Sequence, residues 1–143
     1  MKQKVIVVYK DLENSISEEY LWTETIGNGL YRIDNIPFFA PNLALNDIIS
    51  VEEEDGKLYF DDLIEPSGHS TIQLILLKKS NAQIIIREIE SFGCKWESIN
   101  NKPYYSLDIP PNTKQEEVIF FLNTQTEKGI LDYKEACLAE NHY

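Results

Sequence analysis

A chain of 143 residues with 43% hydrophobic side chains is long enough to bury a core without disulfides or metals, and its composition is not that of a disordered polymer. With 24 acidic against 13 basic side chains the net charge is −11, which argues against nonspecific binding to nucleic acid or an anionic membrane and suits either a basic partner or simple solubility. No run approaches the roughly 20 apolar residues of a membrane helix, and the short apolar run after Met1-Lys-Gln-Lys4 lacks the form of a signal peptide, so a cytoplasmic location is expected.

Lys4–Tyr9 is β-branched and reads as a strand. Asp11–Glu19 is polar and reads as a loop, and Tyr20–Ile26 alternates as a second strand. Gly27-Asn28-Gly29 supplies residues that tolerate positive φ in a tight hairpin, from which Leu30–Ile33 returns. The connection from Asp34 to Asn46 holds Pro37 and Pro41, yet it also carries Ile36, Phe38, Phe39, Leu43 and Leu45. Most of these are expected to fold back over the core. Asp55-Gly56 then joins two further strands, Asp47–Glu53 and Leu58–Ile64.

After Pro66-Ser-Gly68 the pattern changes. The unbroken apolarity of Thr71–Leu77 predicts a strand buried on both faces. Asn81 is placed to cap a helix whose apolar positions are Ile84, Ile85, Ile89 and Phe92, with Gly93 ending it. Cys94–Ile99 and Tyr104–Ile109 are strands around a turn at Asn100-Asn101. Thr113 with Glu116 forms the pattern of a capping box before a helix marked by Val118, Phe121 and Leu122. Ile130–Leu138, after Gly129, is the last strand. The expected fold is α+β: an N-terminal antiparallel β-sheet or partial barrel over 1–66, then a ferredoxin-like β-α-β-β-α-β unit over 67–143.

The segments Trp22-Thr-Glu24, Gly29-Leu-Tyr-Arg-Ile-Asp-Asn-Ile-Pro-Phe-Phe-Ala40, Leu45-Asn-Asp47, Glu53-Glu-Asp-Gly56 and Glu65-Pro-Ser-Gly-His-Ser-Thr71 together resemble a bacterial family of small proteins, the domain of unknown function numbered 4265. Asn46 stands where the family's pattern has a glycine. The resemblance implies no particular activity, and fold alone adds little to function.

Cys94 and Cys137 are far apart, and with only His69 and His142 no zinc set can be assembled. Both cysteines read as small core residues in a reducing compartment. No cofactor or metal is expected. His69, beside Ser67, Ser70 and Glu65, has the chemistry of a general base; the competing reading is a junction turn with His69 hydrogen-bonded to the N-terminal sheet. Asp34-Asn35 could take a ligand, or make an Asx turn. Arg32 could hold an anion, or pair with an acid. Phe38 and Phe39 form a recognition surface if their loop stands out; the competing reading is that at least one of them is buried in the core. Glu52, Glu53, Glu54 and Asp55, with Asp61 and Asp62, lack calcium-loop spacing and are either a solvated hairpin or a negative surface for a basic protein.

The favoured functional expectation is a non-enzymatic protein-binding module, in sharper form an antitoxin-like immunity protein that covers a basic toxin or effector domain. Its contact residues would be the six acids with Phe38 and Phe39. The alternative is a small-molecule or nucleotide-binding regulator, enzymatic or not, with Arg32, Asp34, His69 and Ser70 near the Phe38-Phe39 loop.

Overall fold

The computed structural model describes residues 2–99 and 102–139. The expected turn at Asn100-Asn101 and the second histidine, His142, lie outside them. Five strands come first: β1 (Lys2–Lys10), β2 (Ile16–Gly27), β3 (Leu30–Ile33), β4 (Ile48–Glu54) and β5 (Lys57–Glu65). Each pairs antiparallel with the next. An up-and-down run of five leaves the first and fifth strands pointing the same way, and they meet as a short parallel pair, Val5 opposite Leu58 and Ile6 opposite Tyr59. The barrel is therefore closed, where a partial barrel was expected. Closure removes the free edges that would otherwise template aggregation. Register shifts at Thr25/Gly27 in β2 and at Ile48/Ile49 and Ser50/Val51 in β4 add the local bend that a small barrel needs.

The inside of the barrel follows from alternation. Val5, Val7, Leu21, Ile33 and Ile49 point inward and are buried, and Ala40 and Leu43 from the β3–β4 connection plug the same core. Side chains of this type are each worth about 1.5–3 kcal/mol when fully buried. The Asp55-Gly56 hairpin has φ of +53° and +79°, the two-residue turn whose twist suits antiparallel strands.

One expected loop is shorter than its composition suggests. Ser17, Glu18 and Glu19 belong to β2, opposite Tyr9, Val8 and Val7. The reversal needs only residues 11–15, because Asp11 Oδ1 accepts the N–H groups of Glu13 at 3.0 Å and Ser15 at 2.9 Å. The rest of the polar run is thus free to complete the ladder with β1.

The second sheet is built from β6 (Ser70–Leu76), β7 (Lys95–Ser98), β8 (Tyr104–Ile109) and β9 (Leu131–Cys137), with α1 (Ala82–Ser91) and α2 (Gln115–Glu127) between them. Its strand order is β7-β8-β6-β9, and every neighbouring pair is antiparallel. One face carries Ile72, Leu74, Leu76, Leu107, Ile109 and Leu131, packed with Ile85, Ile89, Val118 and Leu122 of the helices. The opposite face of β6 and β8 is also buried but polar, with Thr71, Ser106 and Asp108.

Both helix starts differ from the capping expectation. Asn81 does occupy the N-cap of α1, but its side chain makes no cap bond and a 3-10 turn, Lys79–Asn81, leads in. Helix α2 begins behind Lys114, and Thr113 Oγ1 donates instead to the carbonyl of Phe92 at 3.1 Å. That bond ties the end of α1 to the start of α2. Gly93, at φ +97°, sits against it: a Cβ there would lie 2.9 Å from Thr113 Oγ1.

Candidate functional site

The segment between β3 and β4 joins the barrel to the polar face of the second sheet. Of the five apolar residues expected over the core, Ile36 and Leu43 are buried, Phe38 and Leu45 are half-buried and Phe39 is exposed; Pro37, Ala40 and Ala44 are buried with the first two, so the loop folds back in part. Its backbone cannot be left unpaired there, and side chains from both sheets satisfy it. Glu19 on β2 accepts the N–H of Phe38 at 2.7 Å, of Phe39 at 2.9 Å and of Ala40 at 2.7 Å. Glu97 on β7 accepts the N–H of Ile36 at 2.9 Å. Ser106 on β8 donates to the Pro37 carbonyl at 2.5 Å and Thr71 on β6 to the Leu43 carbonyl at 2.8 Å. Bonds to a carboxylate are roughly twice as strong as neutral ones, so Glu19 is the firmest of these ties.

Asn46 takes φ +69°, the left-handed region that asparagine tolerates better than most residues, so the turn forms without a glycine. Asp47 behind it is buried, and accepts Ala44 N–H at 3.0 Å and Ser67 N–H at 2.8 Å.

Where the loop meets the end of β1, the barrel and the second sheet enclose a cleft of about 660 Å³, inside the roughly 300–1,000 Å³ range of small-ligand sites. One wall is aromatic: Tyr9 and Phe39 stack with centroids 6.0 Å apart and planes 13° apart, and Phe38 lies 6.1 Å from Phe39. Burial raises the Tyr9 hydroxyl above its ordinary pKa, helped by the charge of Glu19. From the second sheet, Gln73, Ile75 and Tyr104 line the same cleft. Asp11, Glu13 and Asp132 border the cleft together with Lys10 and Lys134. The Asp11 carboxyl is held below its ordinary pKa by the backbone bond from Ser15 and the hydroxyl of Ser17.

His69 does not line this cleft, so the expected meeting of His69 with the Phe38-Phe39 loop does not form. The imidazole is at the loop's other end. Its Nδ1 lies 2.7 Å from Asp108 Oδ1 on β8, and its Nε2 is 3.5 Å from the side-chain nitrogen of Asn46. The expected partner was the N-terminal sheet; the main one is β8 of the second. A neutral ring donating from Nδ1 to the carboxylate and accepting at Nε2 satisfies both contacts. Asp108 is fully buried and its Oδ2 has no hydrogen-bond partner among the described residues. Burial raises its pKa, opposed by the His69 bond and by Lys95.

Ser70 is equally committed: its hydroxyl donates to Gln115 at 2.5 Å and accepts the N–H of Ala139 at 2.9 Å. His69 and Ser70 thus lock a junction, and Gly68 at φ +89° turns the chain into it.

The remaining candidates are scattered. Arg32 lies 3.4 Å from Glu24, and Asp34 2.7 Å from Lys2. Asn35 accepts the N–H of Trp22 at 2.6 Å, bracing the loop against β2 in place of an Asx turn. Glu52, Glu53, Glu54, Asp55, Asp61 and Asp62 are exposed, and none forms an ion pair with a described residue. Asp61 accepts from Ser50 at 3.1 Å. The β4–β5 hairpin tip lies beside the early part of β1, since Leu58 is opposite Val5. Phe39 stacks on Tyr9, four residues further along, which is roughly 13 Å at about 3.3 Å per residue. The acidic tip and the aromatic pair are separate surfaces.

Sequence reasoning missed Tyr9, Glu19, Tyr104 and Asp108. The acids gave no signal, because Glu19 sits in a polar run and Asp108 in an ordinary alternating strand. The pair Tyr104-Tyr105 after Pro103 was a signal: Tyr105 packs into the helix-side core and Tyr104 stays 41% exposed.

Fold and site define an α/β protein of two antiparallel sheets and two helices, with a ligand-sized cleft where its two sheets meet. The chain belongs to the family described as Domain of unknown function (DUF4265), whose model matches residues 19–133. It is also similar to a solved structure titled "Novel crystal structure of a hypothetical protein from Neisseria gonorrhoeae", with 42% identity, 96% of each chain covered and a TM-score of 0.87. No match is found among curated proteins. No helix among the described residues is long and apolar enough to cross a membrane.

Proposed function

We propose that this protein is a non-enzymatic binding module whose ligand enters the cleft between the barrel and the second sheet. The observation that carries this reading is the cleft itself, about 660 Å³, with Tyr9 stacked on Phe39 and Phe38 tilted beside it along one wall. Concave, largely apolar surfaces with a few polar groups are where small ligands bind. The wall is preorganised, because the Glu19 carboxylate holds three consecutive N–H groups behind it, and preorganisation lowers the cost of binding. The reading includes a cytoplasmic setting, supported by two buried thiols, Cys94 and Cys137. It also includes two subdomains, 1–66 and 67–143, the second ferredoxin-like. The β-α-β-β-α-β order and the strand order β7-β8-β6-β9 support that assignment.

Native mass spectrometry of protein purified from its host tests the cleft. A small molecule carried through purification, and lost in Phe39→Ala, supports it. A ligand retained equally by Phe39→Ala places binding elsewhere and ends the reading.

A second reading has its own observation. The β4–β5 hairpin holds Glu52, Glu53, Glu54 and Asp55 exposed and without ion pairs to described residues, in a chain of net charge −11. Such a surface speeds capture of a basic protein, and an immunity protein covering a basic effector is its sharper form. Affinity capture at low and high salt tests it: one stoichiometric basic protein, captured more slowly by the Glu52→Lys/Glu53→Lys/Glu54→Lys variant, is expected. An unchanged on-rate removes the steering argument.

A further inference from the structure

We propose that the cleft takes a small organic cation, an alkylated ammonium, seated against the rings of Tyr9, Phe39 and Tyr104. The inference rests on the cleft-binding reading above and adds the chemical class of the ligand. Aromatic faces carry negative electrostatic potential and attract cations that sit within about 6 Å of the ring centre. Tyr9 and Phe39 stack on each other, nearly parallel at 13°, which leaves the outer face of the stack for a cation, and Tyr104, 41% exposed, lines the same cleft.

The charges point the same way. Asp11, Glu13 and Asp132 border the cleft against Lys10 and Lys134, within a chain of net charge −11. The Asp11 charge is fixed in place by the N–H groups of Glu13 and Ser15 and by the Ser17 hydroxyl. Both the rim and the long-range field therefore oppose an anion and favour a cation.

Alkylation follows from the walls. Phe38, Phe39 and Ile75 offer no hydrogen-bond acceptor, so a primary ammonium would satisfy its three donors only by leaving these side chains for Gln73 or the rim acids. A nitrogen carrying three or four alkyl groups brings one donor or none. Its charge is spread over methyl groups that pack on the rings.

The test is a nuclear magnetic resonance titration of the full chain with benzyltrimethylammonium and with neopentylbenzene, its uncharged carbon isostere. The cation is expected to shift the ring signals of Tyr9, Phe39 and Tyr104, and to bind about ten-fold tighter than the isostere. Tyr104→Ala should weaken it about five-fold while Tyr104→Phe, which keeps the ring face, binds as before. Equal binding of the two probes overturns the cation and leaves the cleft reading standing. No shift of these signals with either probe overturns both. Tighter binding of tri-arginine at the same rings would make the cation a protein side chain and overturn the small-molecule proposal.

Discussion

The carboxylate of Glu19 accepts three backbone N–H groups, from Phe38, Phe39 and Ala40, and is the residue on which the cleft wall depends. Glu19→Gln keeps one acceptor oxygen, replaces the other with a donor that faces N–H groups, and removes the charge. A loss of about 1.5–3 kcal/mol is expected from urea unfolding, the range for hydrogen bonds to charged groups. A loss below a few tenths would mean that the loop is held by its buried apolar residues alone. Asp108 makes a pH prediction. Its pKa is raised above the ordinary 3.8, chiefly by burial, so the native state binds that proton more tightly than the unfolded chain does. Its contribution to stability is full below 3.8 and is lost as pH rises through the raised value. Melting curves from acid to neutral pH should show the wild type losing ground to Asp108→Asn across that window. A constant gap would show that His69 fully offsets the burial. The buried thiols add a third prediction. Cys94 and Cys137 are each pushed up to about 12, mainly by burial, with Asp108 and Asp47 respectively adding to it. Neither should react with iodoacetamide at neutral pH until urea unfolds the chain.

At the scale of elements, the strands and helices could be read from period and punctuation, because local chemistry decides them. The Asp55-Gly56 turn, the stop at Gly93 and the helical spacing of Ile85 and Ile89 all reappear in the fold. What escaped the sequence was set by tertiary partners. Thr113 has the pattern of a cap, yet its hydroxyl goes to Phe92 at the end of α1. Glu19 looked like part of a polar loop because its partners, the N–H groups of Phe38–Ala40, lie on a different element. The cleft was illegible for the same reason: Tyr9, Phe39 and Tyr104 come from β1, the β3–β4 connection and β8, and nothing local joins them. Phe38 and Phe39 read as a surface only on the condition that their loop stands out, and nothing local names their neighbours. The α1–α2 contact gives a prediction at this scale. Gly93→Ala would force a Cβ to within 2.9 Å of Thr113 Oγ1 at φ +97°. Strain of this kind costs on the order of 1–3 kcal/mol. Differential scanning calorimetry should show a lower Tm, and adding Thr113→Ser should not restore it, since the hydroxyl oxygen remains.

Across the whole molecule, the two sheets are joined by a clamp whose bonds run from acids and hydroxyls to loop backbone, inside a protein that repels itself. A net charge of −11 destabilises a compact state through like-charge repulsion. Few described cations offset it: the acid-to-base contacts are Lys2 with Asp34, Arg32 with Glu24 and the His69–Asp108 pair. Exposed charges are screened when salt shortens the Debye length from about 10 Å at 0.1 M to about 3 Å at 1 M. Buried ties such as Thr71 to Leu43 are screened far less. Sodium chloride should therefore raise the urea midpoint of the wild type rather than lower it. The hairpin acids Glu52, Glu53 and Glu54 sit close together on β4, so reversing all three to lysine adds two charges at each site and takes the chain from −11 to −5. That variant should gain less from salt than the wild type does. The size of the difference separates the two roles open to the hairpin. A large fall in the salt increment means that the cluster is kept against a folding penalty, as expected of a surface with a basic partner. An unchanged increment means that the repulsion is spread over the whole surface, and the hairpin is then only part of a soluble coat.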